Sequence, residues 1–180
     1  MKQHRNSATR RVRYRVAMSL DGYIAGSNGE FDWIVMDPDI DFAAAFNEFD
    51  TLLIGRKTYD MMRGQSGPEM PGVKAFVVSQ TLQQKDCVGV TLARDPVALL
   101  ESLRKEPGKD IWLFGGGSLF RSLLDLGLVD TVEVAIVPIL LGGGVSLLPT
   151  PAKQTKLRLE KHTVYPKTGT VSLEYSVVSG

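Results

Sequence analysis

Ile111-Trp112-Leu113-Phe114-Gly115-Gly116-Gly117-Ser118-Leu119-Phe120 is the stretch that decides the fold of this chain. Four apolar residues in a row suit a buried strand, and a helix-like run from Ser118 to Leu126 follows after three residues without side chains. A strand that enters bare backbone and then a helix start leaves amide N–H groups facing outward, where an anion can reach them. Two readings are open at this point: a phosphate cradle, or only a tight strand-to-helix turn.

On either side of this stretch the chain alternates extended and helical segments. Upstream, Val12, Tyr14, Val16 and Met18 alternate with Arg13, Arg15 and Ala17, the period-2 pattern of a half-covered strand ending near Ser19. After a loop rich in Asp and Gly, Phe42, Ala45, Phe46 and Phe49 recur at spacings of three and four, which predicts a helix capped by Asp41. Strands are expected at Thr51 to Ile54, Lys74 to Ser79 and Val88 to Leu92, with a short helical stretch from Gly55 to Met62 between the first two. Asp95-Pro96 starts a helix that stops before Pro107-Gly108, because Asp accepts orphan amide hydrogen bonds and Pro fits the first helical turn. Beyond Gly127, Thr131 to Val137 reads as a further strand. Residues 156–165 and 170–178 then alternate on either side of Pro166-Lys167-Thr168-Gly169, a hairpin signature. The sum is an α/β fold of three layers: a mixed, mostly parallel central sheet with helices on both faces and an antiparallel C-terminal hairpin.

Composition bounds the function. The chain has 180 residues, 43% of them hydrophobic, enough for one domain with a single core. A net charge of +1 makes no global case for nucleic acid. The cluster Lys2, Arg5, Arg10, Arg11, Arg13 and Arg15 is read as a basic, flexible tail over residues 1–11 leading into the first strand, with the folded domain at 12–180. A single cysteine, Cys87, excludes an internal disulfide. With only His4 and His162 beside it, no metal site is expected and a serine triad has little room. The longest apolar run, Val134 to Leu141, is far short of a membrane span, and no signal segment is visible, so a cytoplasmic location without a membrane partner is expected.

Neither standard nucleotide fingerprint fits. Gly115-x-Gly117-x-x-Phe120 lacks the last glycine of the dinucleotide motif and comes late in the chain, while Asp50 stands where a P-loop would begin and Arg56 interrupts its Gly-Lys pair. What remains is a set of strand ends: Gly55-Arg56-Lys57-Thr58, Ser79-Gln80, and Gly115 to Phe120. In a parallel sheet these ends share one edge, where cationic side chains, hydroxyls and two helix N-termini can face a single polyanion.

Three ordered motifs, Val16-Ala17-Met18-Ser19-Leu20-Asp21-Gly22-Tyr23-Ile24-Ala25, Asp50 to Tyr59, and Phe114 to Phe120, resemble those of the dihydrofolate-reductase-like fold. Pro138-Ile139-Leu140-Leu141-Gly142-Gly143-Gly144, followed by Leu147-Leu148-Pro149, is more similar to the C-terminal reductase domain of the bifunctional riboflavin-biosynthesis deaminase/reductase. The resemblance implies NADPH as hydride donor and the 5-amino-6-(5-phosphoribosylamino)uracil reductase as the nearest activity. It places Ala17 and Ile24 at the nicotinamide, and Arg56, Ser79 and Gln80 at the adenosine 2′-phosphate. Thr58 and the amides of Gly116, Gly117 and Ser118 fall at the pyrophosphate. Gly55, Lys57 and Gly115 complete the edge, with Leu119 and Phe120 packing the adjoining helix.

The proton source is less defined. A carboxylate at the start of the first helix in dihydrofolate reductases points to Asp39 or Asp41 here, Asp41 being equally an N-cap. Trp33, Phe42 and Phe46 are candidates for a flat slot that receives a ring, or simply for core. Ala135 stands where dihydrofolate reductases carry a threonine, a departure from folate reduction, and no second basic cluster is present for a phosphorylated substrate. Reduction of a pterin and a non-catalytic NADP-binding module are the alternatives. By analogy with pyrimidine reductases a homodimer is expected.

Overall fold

The computed structural model describes residues 9–63 and 70–178. Ten strands form in chain order: β1 (Val12–Ser19), β2 (Tyr23–Ala25), β3 (Phe49–Gly55), β4 (Lys74–Val78), β5 (Thr91–Ala93), β6 (Asp110–Gly115), β7 (Thr131–Val137), β8 (Val145–Ser146), β9 (Leu157–Tyr165) and β10 (Thr170–Val177). The α-helices are α1 (Phe42–Phe46), α2 (Arg56–Arg63), α3 (Pro96–Lys105) and α4 (Gly117–Asp125). Eight strands make one sheet in the order β5-β4-β3-β6-β1-β7-β10-β9, while β2 and β8 pair separately. The pairs from β5 to β7 are all parallel, and β10 joins β7 and β9 antiparallel. The mixed, mostly parallel sheet with its antiparallel C-terminal hairpin is thus the architecture the periodicities imply.

Alternation along the strands builds two unlike faces. On one, Val12, Tyr14, Leu53, Ile111, Leu113, Val132 and Val134 pack with Leu100 and Leu103 of α3 and Phe120 and Leu123 of α4. On the other, Leu52, Ile54, Val77 and Trp112 pack with Tyr59 of α2. Asp95 caps α3 as expected, its carboxylate accepting from Val97 N at 2.9 Å and Ala98 N at 3.1 Å.

Several boundaries differ from expectation. The helix capped by Asp41 stops at Phe46, and Phe49 starts β3 instead, its ring stacked on Trp112 at 5.4 Å and under the Arg13 guanidinium. Val88 lies outside β5, because its amide donates to the Tyr59 hydroxyl at 2.8 Å and Gly89 turns the chain with φ +70°. Strands β2 and β8 are too short to show any period. At the other end, Arg10 and Arg11 belong to the folded body rather than to a tail. Arg10 is buried, donating to Lys109 O, Thr51 Oγ1 and the Asp50 carboxylate, and Arg11 pairs with Asp110 at 2.7 Å. Lys2 and Arg5 lie outside the described residues. Among the described residues no helix is long and apolar enough to cross a membrane.

Candidate functional site

From β3 the chain proceeds outward to β4 and β5, whereas from β6 it crosses to β7 on the other side of β1. The connections therefore diverge between β3 and β6, and in open α/β sheets such a divergence leaves a crevice at the carboxyl ends of the strands. Gly55 and Gly115 close those two strands side by side. A Cβ on Gly55 would sit 3.6 Å from Gly115 O and 4.0 Å from Gly116 Cα, and one on Gly116 would sit 3.6 Å from Thr58 Oγ1. Gly116 has φ +89°, a conformation costly for any side chain, and a Cβ on Gly117 would run into Ser146 O at 2.5 Å and the Pro149 ring at 2.9 Å. The triplet is thus both a tight turn and a close-packed wall. Because Gly116 is the N-cap of α4, no side chain caps that helix, and its first-turn amides remain for an external acceptor.

Cationic side chains flank the crevice at the start of α2. Arg56 donates through Nε to Asp60 at 2.8 Å and through Nη1 to Thr81 Oγ1 at 2.5 Å, leaving its outer face open. Lys57 is exposed and makes no ion pair among the described residues. Ser79 and Gln80, expected beside Arg56, are turned away from the cleft. Ser79 is buried with Oγ accepting from Thr81 N and Leu82 N at 3.2 and 3.1 Å, and Gln80 Nε2 donates to Arg94 O at 2.6 Å. The Ser79 side chain thereby shapes the turn that brings Thr81 to Arg56, a contact no sequence period signals. Gly115 to Leu119 line the cleft, while Phe120 is buried against Tyr14, ring on ring at 3.8 Å.

Beyond β1 the cleft continues over a floor built by strand register. Ala17, Ala135 and Ser172 are partners across β1, β7 and β10, and all three line it. Two residues along, on the same face, Arg15, Glu133, Glu174 and Lys161 form the next row. Glu133 is buried and accepts from Arg13 Nε and Nη2, Arg15 Nε and Thr131 Oγ1 at 2.6 to 2.9 Å. Burial alone would raise its pKa, but the bonds and charges of the two arginines outweigh it and hold the carboxyl below the ordinary range.

The opposite wall is the 26–41 loop and α1. Phe42 and Phe46 face the cleft, Phe46 also stacking on Trp112 at 5.3 Å, and Ile24 lines it as well. Trp33 does not line it; its indole N–H donates to Glu30 O at 3.1 Å. Phe31, Val35 and Met36 do line it, exposed by 45, 55 and 60%. Both candidate acids border the cleft. Asp41 Oδ1 accepts from Ala44 N at 2.9 Å, the N-cap, and Asp39 takes Lys167 Nζ at 2.7 Å. Between them in role is Asp37, buried, accepting from Asp39 N and from the amide and hydroxyl of Thr168. Desolvation opposes ionisation there, yet these bonds lower its pKa, so Asp37 ties the loop to the β9–β10 turn. The whole cleft measures about 1410 Å³, more than the roughly 300–1,000 Å³ of a single-ligand pocket, so two ligands fit side by side.

Residues 10–171 match the sequence pattern of the RibD C-terminal domain. YyaP of Bacillus subtilis (strain 168), a protein without an assigned activity, is 34% identical over 183 residues, covering 94% of this chain and 96% of YyaP. The riboflavin biosynthesis protein RibD of Corynebacterium ammoniagenes is 25% identical, and the match spans 80% of this chain but 48% of that protein. Among solved structures, a Shewanella sp. PV-4 protein assigned provisionally to riboflavin biosynthesis superposes with TM-score 0.79 at 26% identity, over 94% of this chain and 99% of that one. The dihydrofolate reductase of Enterococcus faecalis, complexed with NADP(H), superposes with TM-score 0.69 at 16% identity, over 94% and 97%. The fold is that of the dihydrofolate-reductase-like proteins, and the chain belongs to the RibD C-terminal domain family.

Proposed function

We propose that this member of the RibD C-terminal domain family is an NADPH-dependent reductase of a small heterocycle or imine, of the riboflavin-pathway type. The observation that carries the reading is the meeting of Arg56 and Thr58 with the Gly115 to Gly117 turn at the β3–β6 crevice. That crevice fits a dinucleotide. Arg56 and Lys57 suit a 2′-phosphate, with Thr81 Oγ1 accepting from the guanidinium and orienting it, since a guanidinium and an ammonium match the phosphate oxygens. Thr58 and the free first-turn amides of Gly117 and Ser118, with Gly116, suit the pyrophosphate. Ala17 and Ile24, further along the cleft, suit the nicotinamide. When bound, NADPH supplies a hydride to an electrophilic carbon and leaves as NADP⁺.

The chain's own residues supply the rest. The apolar wall excludes water from the reacting end, and Ala17, Ala135 and Ser172 form a floor flat enough for a ring. The proton that balances hydride transfer reaches the substrate nitrogen from Asp39 or Asp41, or from water that they orient. Both carboxylates stand at the cleft, each with one oxygen engaged.

The test has two arms. Arg56→Ala is expected to weaken NADPH binding about tenfold while changing NADH binding less than twofold, because the lost charge-assisted bonds address the 2′-phosphate alone. Equal losses for both nucleotides overturn the placement of Arg56. In a screen of heterocycles and imines, decay of the nicotinamide absorbance supports the reductase. Tight nucleotide binding with no turnover across the panel instead makes the chain a non-catalytic NADP-binding module.

A further inference from the structure

We infer that the substrate half of the cleft takes a flat, uncharged ring system and rejects a phosphorylated one. The inference rests on the reductase reading for which half holds the substrate, and it narrows that reading to a heterocycle without the phosphate that the phosphoribosylamino substrate carries. Its basis is the composition of that half, where an apolar wall faces a floor of small side chains and every cation is already paired.

The wall comes first. Ile24, Phe31, Val35, Met36, Phe42 and Phe46 all line the cleft, and four of them present large apolar surface to solvent there. A contiguous exposed apolar patch inside a concavity marks a ligand surface rather than a solvated face. Opposite lie Ala17, Ala135 and Ser172, whose short side chains leave the sheet nearly bare. A slot with an apolar side and a flat floor selects a planar ring. The Ser172 hydroxyl and the Glu174 carboxylate at its edge accept from ring N–H groups.

Charge then decides what the ring can carry. Away from Arg56 and Lys57, the cations among the described residues lining the cleft are Arg15 and Lys161. Arg15 is committed, with Nε on Glu133 at 2.6 Å, Nη1 on Ala45 O at 3.2 Å and Nη2 on Glu48 at 3.3 Å. Lys161 lies 3.7 Å from Glu174. The carboxylates lining the same half, Asp39, Asp41, Glu48, Glu133 and Glu174, absorb these cations together with Arg13 and Lys167, and of the five Asp41 alone has no ion pair among the described residues. A phosphoryl group entering here finds no uncommitted guanidinium and adds its negative charge to a set in which the acids already match or exceed the bases, so it is left without charge-assisted donors and disfavoured.

Riboflavin and its 5′-phosphate are a matched probe pair, one ring system without and with the phosphate. Flavin fluorescence anisotropy with the full chain, with and without saturating NADP⁺, is expected to show riboflavin binding at least about tenfold tighter at low ionic strength. That ratio narrows in high salt, where charge repulsion is screened. Glu174→Lys is expected to narrow it at low salt, and Glu174→Gln, which keeps the shape, to narrow it by less. Equal or tighter binding of the phosphate, failure of riboflavin to bind, or a ratio indifferent to both salt and Glu174→Lys overturns the inference. NADP⁺ binding, followed separately by tryptophan quenching, tells the two failures apart. Loss of nucleotide binding with the flavin preference intact overturns the reductase reading alone.

Discussion

The two faces of the central sheet are made by the same strands yet held together differently. Toward α3 and α4, Val12, Tyr14, Leu113, Val132 and Val134 form a dry apolar layer. On the reverse of β1 and β7, Arg13, Arg15 and Glu133 form a buried ionic layer, with Glu133 engaged by both arginines and Arg13 also reaching Glu48. The first arrangement is non-directional and tolerates exchange of one apolar side chain for another of similar size. The second requires every partner at once, since a buried charge stripped of its counter-charge is far costlier than a missing methyl group. The ionic layer borders the cleft through Arg15, Glu48 and Glu133, so directional bonding is concentrated at its floor.

Substitutions on each face sharpen the contrast. Glu133→Ala removes the buried counter-charge shared by Arg13 and Arg15, leaving them Glu48, and is expected to cost about 3 kcal/mol in urea unfolding. Its folded-state pKa lies below the 4.5 of an ordinary glutamate. The stabilisation from Glu133 is therefore complete above that value and disappears as pH falls through the lowered native value. Repeating the unfolding from about pH 6 into acid should narrow the gap between wild type and variant as pH falls below 4.5. A gap that stays constant into acid would break the ionic account.

Leu113→Ala on the dry face is expected to cost about 2–5 kcal/mol, since Leu113 is fully buried, and its loss should be the same at both pH extremes. Convergence with wild type in acid would show that the two faces do not differ as described. Tyr14 adds a finer probe. Its hydroxyl is buried without a hydrogen-bond partner, and burial alone pushes its pKa well up. Tyr14→Phe is expected to leave the fold intact and raise stability by about 1 kcal/mol, because the orphaned hydroxyl goes while the ring on Phe120 stays. A destabilised variant would mean that the hydroxyl is satisfied after all. The smallest effect belongs to Asp41→Ala, expected to cost about 0.5–1 kcal/mol through loss of the α1 cap. A fall in kcat much larger than that free energy allows would move Asp41 from cap to catalytic residue.

Legibility in the sequence followed the same division. Alternation in Val12 to Ser19 showed which residues of β1 share a face, and the α3 cap was readable at Asp95-Pro96, because both are local properties. That Arg13 and Arg15 are held by Glu133 was not readable, since the partner lies more than a hundred residues away and only strand register brings it adjacent. At the β3–β6 crevice, Gly55, Arg56, Thr58 and the Gly115 to Gly117 turn were read from strand ends and motif resemblance, and the fold brings them together. Ser79 and Gln80 do not line the cleft, since the 79–82 turn is set by its own hydrogen bonds, which no period records. The apolar wall gave the weakest signal. Phe42 and Phe46 sit on a helix and showed its spacing, but Phe31, Val35 and Met36 belong to a loop without periodicity, where Trp33 was the more conspicuous residue and lines nothing.

The stitches between the wall and the β9–β10 turn have a kinetic consequence. Thr168 reaches Asp37 across 131 residues of chain and Lys167 reaches Asp39 across 128. Bonds of such sequence separation carry a loop-closure entropy that contacts already made by the intervening chain reduce. The hairpin that bears Lys167 and Thr168 is held to β7 through β10, so the two tethers are expected to form on a hairpin already docked there.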